Sequence, residues 1–233
     1  MLRATVNGKQ NVLPTSQAKG ICPWCGERVF ARCGEKKTHH WSHYPKSKCC
    51  GEVDREPETE WHKRMKNLFS EEYREIVNTK NGEHRRADIW LPNSKTAIEF
   101  QHSSIRHEVI EARHNVHGRI VWVFDCNKKG AFSNADVYIN PTNRKNKISL
   151  PLSLEYLKCL AGKDTLLIFQ CDVKQFSVFY IVETLRFGKT IGGYGHWYLS
   201  DNEFHDKMMF PERSGTRKIK TDIFVHKRHG NKS

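Results

Sequence analysis

Asp88, Glu99 and Gln101 are the residues of this chain whose types and spacing most directly imply chemistry. Residues 83–102 read as two short strands with a turn between them. Ala87, Ile89 and Leu91 alternate with Asp88 and Trp90, Pro92-Asn93-Ser94 breaks the run, and Ala97, Ile98 and Phe100 resume it. A period of two puts Glu99 and Gln101 on one face, and a hairpin can set Asp88 across from Glu99. Two carboxylates on adjacent strands among apolar neighbours repel each other at pH 7 and are costly to desolvate. A hard divalent cation removes that cost, since Mg²⁺ is commonly held by one or two carboxylates plus substrate phosphate. A purely structural reading pairs the same acids with Arg85, Arg86 or Arg106 on a solvated face.

The elements around this pair complete a pattern. Residues 58–69, ETEWHKRMKNLF, place Trp61, Met65, Leu68 and Phe69 at helical spacing, with Glu58, His62 and Lys66 along one face. That ladder is also what an ordinary helix surface looks like. YREIVNTK, residues 73–80, reads as a strand ending in the turn Asn81-Gly82. Ser103 or Ser104 caps a helix through about His117 and Gly118 ends it, with Ile105, Val109, Ile110 and Ala112 on its apolar side and Glu108, Arg113 and His117 along another stripe. RIVWVFD, residues 119–125, is a fully buried strand.

Asp, a short gap, then Glu-x-Gln between apolar residues resembles the PD-(D/E)xK nuclease core with its usual Lys replaced by Gln101. The words RRADI and AIEFQHSSI resemble the CoiA-like competence nuclease family. The resemblance implies a helix-strand-strand-strand-helix-strand core that cleaves DNA. In it Asp88 and Glu99 ligate Mg²⁺ or Mn²⁺, and the Phe100 carbonyl is a third ligand. The usual Lys polarises the attacking water. Gln101 can hydrogen-bond that water but carries no charge to favour hydroxide. His62 and Lys66 are the candidates for the missing electrostatics, with His102 behind them. In the family the helix before the strands turns its polar face to the metal, which brings in Glu58 and Glu60, and an Arg of the second helix could hold the scissile strand.

A second metal signal lies upstream. Eight cysteines include five within the first 50 residues, beside three histidines. In a cytosolic chain such crowding reads as metal binding before disulfides. Cys22-Pro-Trp-Cys25-Gly26 has the two-residue spacing and trailing Gly of a zinc knuckle, whose backbone amides point at the thiolates. Two of His40, His43 and Cys49 would complete a tetrahedral structural site, with Cys33, His39 and Cys50 as weaker alternatives. About 30 residues cannot bury enough apolar surface to fold alone, so a Zn²⁺ staple is physically needed. The block also resembles the N-terminal part of CoiA-like proteins, in which Cys-Pro-x-Cys-Gly is followed by His-aromatic-x-His and a Cys; here these are Cys22, Cys25, His40, Trp41, His43 and Cys49.

The expected fold class is therefore α/β (α+β). A zinc-binding module spans residues 1–52, a nuclease-like core 53–126, and an α+β extension with a basic tail 127–233. Within the extension, 136–140 reads as a short strand, 151–162 as a helix, and 166–185 as two strands that extend the sheet. The Gly- and aromatic-rich stretch 188–204 reads as turns covering it, or as a loop that stacks on bases.

A net charge of +13 and a pI near 9.4 favour polyanions, so nucleic acid is the expected partner. DNA over RNA follows from the resemblance; nucleases of this fold often pair or form rings, but the sequence carries no reading of an oligomeric partner. Mean hydropathy of −0.71, no run of ~20 apolar residues and no signal-peptide core point to the cytoplasm and away from the membrane.

Overall fold

The computed structural model describes residues 2–35, 39–45, 59–127, 136–138, 146–150, 157, 159–160, 163–173, 176–187, 191–198, 200–209 and 220–223. Five short strands open the chain: β1 (Ala4–Val6), β2 (Lys9–Val12), β3 (Lys19–Ile21), β4 (Arg28–Arg32) and β5 (His40–His43). They form an antiparallel sheet in the order β2-β1-β3-β4-β5. Its core is small, comprising Ala4, Cys22, Val29 and Trp41. So little apolar burial is what makes a cross-link valuable here.

Helix α1 (Glu60–Asn67) follows, capped by the Thr59 side chain accepting from the His62 N–H. Then come β6 (Arg74–Lys80), β7 (Glu83–Leu91), β8 (Thr96–Gln101), helix α2 (His107–His117) and β9 (Arg119–Asp125). This is the order expected of the nuclease core. Strands β6, β7 and β8 are antiparallel neighbours, and β8 returns through α2 to lie parallel to β9. A parallel return needs a crossover of this kind.

The sheet does not end at β9. Strands β10 (Asp136–Tyr138), β11 (Asn146–Leu150), β12 (Thr165–Val173), β13 (Phe176–Phe187), β14 (Ile191–Tyr198) and β15 (Lys220–Ile223) join it, with helix α3 (Asp201–Met209) after β14. Its order is β10-β11-β14-β13-β12-β9-β8-β7-β6, with β15 beside β13. β12 lies parallel to β9, so three parallel strands form the middle. The stretch read as turns or a stacking loop is instead β14 and the start of α3. Its glycines Gly192, Gly193 and Gly195 take paired positions against β11 and β13, because flanking strands supply the ladder bonds that local composition does not favour. The helix expected at 151–162 falls mostly outside the described residues.

Alternation along β9 and β12 builds both faces of a three-layer domain. Ile120, Trp122, Phe124, Leu167 and Phe169 pack with Ile105 and Ile110 on the α2 side. Val121, Val123, Leu166 and Ile168 pack with Met65 and Phe69 from α1 and with Phe204 and Met208 from α3. Among the described residues, no helix is long and apolar enough to cross a membrane.

The small sheet docks against the open edge of the large one. The Asn11 side chain accepts from the Val77 N–H at 2.9 Å and donates to the Val77 carbonyl at 3.3 Å, imitating a strand partner for β6. Arg3 donates to the carbonyls of Arg74, at 3.0 Å, and Glu71. Asn11 has φ 57°, a left-handed conformation that Asn tolerates better than Ala. Asn11→Ala is expected to cost about 2 kcal/mol through lost hydrogen bonds and backbone strain, read as a lower urea midpoint. An unchanged midpoint would show that the docking rests elsewhere.

Candidate active site and metal centre

Strands β7 and β8 pair at Leu91↔Thr96, Trp90↔Ala97 and Ile89↔Ile98, and there the ladder stops. Continued by one step, the register would set Asp88 against Glu99. Instead the strands part, and the Asp88 carboxylate accepts the Phe100 N–H at 2.9 Å. The N–H and C=O of one strand residue point the same way, so the Phe100 carbonyl also faces this fork. The His62 Nε2 of α1 reaches it at 2.5 Å. Asp88, Phe100 and His62 thus meet where β7 and β8 separate.

Glu99 is 1% exposed, and its other neighbours come from α2. Arg113 donates to Glu99 Oε2 at 2.6 Å. The His117 Nε2 stands 3.6 Å from Glu99 Oε1, beyond hydrogen-bond reach, and neither of these two atoms has a hydrogen-bond partner among the described residues. Burial pushes the Glu99 carboxyl up to about 8; Asp88 and Glu75 push the same way, while Arg113 and Arg86 oppose it. Burial, with Arg113 beside it, holds His117 down to about 3. That imidazole is neutral at pH 7, and the Asn78 amide lies 3.0 Å from its Nδ1. A buried carboxylate held by one guanidinium, with one oxygen unmatched, fits a site that takes a cation.

Other expected residues are placed differently. Gln101 is buried and donates its amide to the Ser103 carbonyl at 2.7 Å. That bond also holds the Ser103 carbonyl out of helical pairing, and α2 begins at His107, later than its Ser-capped start in the sequence reading. Lys66 lies 2.5 Å from Glu75, which Arg86 also contacts at 2.8 Å. The ammonium of Lys66 is therefore engaged with Glu75, not Glu99. His102 holds Asp125 at 2.7 Å through Nδ1. Glu60 is ion-paired with Lys63 at the surface, and Glu58 lies outside the described residues.

Glu75 is the acid that sequence reasoning missed. It sits between Arg74 and Ile76, the partners of Ile89 and Ala87, and so stands beside Asp88 in the sheet. Its φ of 56° is a strained conformation for a non-glycine residue. An acid directly before the apolar pair Ile76-Val77 of a strand was the available signal.

At the N-terminal module, Cys22, Cys25 and His43 bring their ligand atoms within 4.8 Å of one another. Cys25 Sγ lies 3.3 Å from His43 Nε2. Burial pushes the Cys22 thiol up, whereas the N–H groups of Cys25 and Trp24 hydrogen-bond its sulfur and pull it down. Gly26, at φ 72°, permits the turn that aims these amides. His40 is not part of the group. β5 pairs His43 with Val29 and His40 with Arg32, and positions three apart on a strand lie on opposite faces. Cys49 and Cys50 lie outside the described residues. Three potential donor atoms are thus gathered, and the cluster can hold a metal ion.

Comparison with curated proteins and with solved structures gives no match. Family models do match. Residues 7–52 match the N-terminal domain of competence protein CoiA, and residues 60–206 match its nuclease-like domain. The second match runs from the first residue of α1 into α3, across the fork at Asp88 and Glu99. On these two matches, which together run from residue 7 to residue 206, the chain belongs to the CoiA competence protein family.

Proposed function

We propose that this protein is a divalent-metal-dependent nuclease that cleaves DNA phosphodiester bonds. The observation that carries the reading is the strand fork, where Asp88 and the Phe100 carbonyl adjoin a buried, incompletely matched Glu99. Asp88, Glu99 and the Phe100 carbonyl would hold Mg²⁺ or Mn²⁺, which when bound neutralises phosphate charge and lowers the pKa of a coordinated water. Arg113 fixes the orientation of Glu99 through Oε2 and leaves Oε1 for other partners. His62 anchors the Phe100 carbonyl from α1, and Thr59, 3.3 Å from its Nδ1, steadies the ring. In this reading these residues orient the ligands. The net charge of +13 supports retention of a polyanion. In the N-terminal module, Zn²⁺ on Cys22, Cys25 and His43, with Cys49 as the fourth ligand, would serve a structural role.

One observation favours a second reading, a nucleic-acid-binding module that does not cut. Gln101 and Lys66, the groups best suited to replace the usual lysine, are both engaged by other protein groups. An assay of the full chain on DNA in Mg²⁺, Mn²⁺ or chelator separates the two. Product with Mn²⁺ or Mg²⁺, lost with chelator and in Asp88→Asn, is expected. Steeply salt-dependent binding without product under any divalent ion would establish the second reading instead. Negligible DNA retention at about 150 mM salt would leave a zinc-stabilised adaptor that binds another protein.

A further inference from the structure

Three side chains with different donor atoms meet on α2, away from both sites described above. A ring nitrogen of His107, a carboxylate oxygen of Glu111 and Cys159 Sγ all lie within 4.8 Å of one another. His107 and Glu111 are one helical turn apart, with Nε2 3.2 Å from Oε1. Cys159 comes from the segment whose neighbours Leu157 and Leu160 are buried in the core on the α2 side of the sheet. Its sulfur is therefore held in place by packing. Lys163 donates to Glu111 Oε2 at 2.7 Å, which anchors that oxygen and leaves Oε1 towards His107. An outer hydrogen bond that orients a carboxylate is the usual support of a metal ligand.

We propose that His107, Glu111 and Cys159 form a second transition-metal site, one that takes Zn²⁺ with water in the remaining tetrahedral position. One nitrogen, one oxygen and one sulfur donor suit a borderline cation and are wrong for Mg²⁺ or Ca²⁺, which require oxygen ligands. The cation would take the place of the thiol proton, which is released to solvent. Burial holds that thiol up to about 11, so no protein group ionises it at neutral pH. Thiolate and carboxylate together balance the two positive charges of the metal. The bound ion would tie the segment around residue 159 to the helix that carries Arg113, the partner of Glu99.

The test uses the full chain in Mg²⁺-containing buffer, with Zn²⁺ per chain measured by atomic emission after gel filtration. His107→Gln and Cys159→Ser are each expected to lower the bound Zn²⁺ by about one equivalent relative to wild type. His107 is exposed, so its variant separates ligand loss from misfolding. In a Cys25→Ser background loaded with Co²⁺, a thiolate-to-cobalt absorption band should persist and vanish on adding Cys159→Ser. An unchanged zinc content in either single variant overturns the proposal. So does a cobalt band that survives the loss of Cys159, or one already missing in Cys25→Ser. None of these readouts depends on nuclease activity, so the two proposals fail separately.

Discussion

Glu99→Gln is expected to abolish cleavage and yet raise the melting temperature of the metal-free protein at pH 8. Removing a charged ligand forfeits several kcal/mol of transition-state stabilisation, roughly a thousandfold in rate. Retention on DNA at low salt should survive, because Glu99 is buried and its replacement leaves the excess of positive charge undiminished. The stability effect has the opposite sign. The folded protein holds the Glu99 proton up to about pH 8, whereas an ordinary glutamate releases it near 4.5. Between those values the folded state carries a proton that the unfolded state has lost. Stability therefore falls as pH rises through this window, by about 1.4 kcal/mol per pH unit for a single group. Glutamine cannot ionise, so this slope should disappear in the variant. Thermal melts from pH 5 to pH 8 in chelator check the sign, and Mn²⁺ should recover wild-type stability at pH 8 but not that of the variant. Parallel pH profiles for the two proteins would mean that Glu99 is not the strained acid, and undiminished cutting would remove it from the mechanism.

Cys25→Ser should unfold the N-terminal module while the large sheet survives. Among the described residues the module's core comprises four buried side chains, and structural zinc sites contribute about 10–16 kcal/mol of apparent binding energy in small domains. Losing one thiolate removes much of that, since a hydroxyl is a poor ligand for Zn²⁺. The large sheet has apolar layers on both faces and needs no such staple. Limited proteolysis should cut first within residues 2–45 in the variant, or in wild type treated with chelator, and leave a resistant fragment beginning near α1. Simultaneous loss of both parts would show instead that β6 depends on the Asn11 and Arg3 contacts for its own stability.

Several of these residues were legible because their information is local. Cys22 and Cys25 have two residues between them in a single turn, and a knuckle needs nothing distant to be recognised. Asp88 and Glu99 lie in adjacent strands of a hairpin, and a period of two was enough to bring them near each other. His62 was legible only with the resemblance in view, since its contact, the Phe100 carbonyl, is 38 residues away. Glu75 went unread because its importance comes from a left-handed φ within β6 and from two cations, Lys66 and Arg86, supplied by other elements. His40 was grouped with His43 by motif, and strand alternation separates them.

The sequence by itself determined the order of elements from α1 to β9, the acids and thiols available, and the excess of positive charge, since these depend on residue type, spacing and composition. Only the tertiary structure decided which of them act together. The parting of β7 from β8, the Arg113 clamp on Glu99 and the diversion of Lys66 to Glu75 all join segments that no local periodicity relates. Burial did the rest: a glutamate that would ionise freely in an open chain becomes, among apolar strands, a group that holds its proton until a cation or a higher pH removes it.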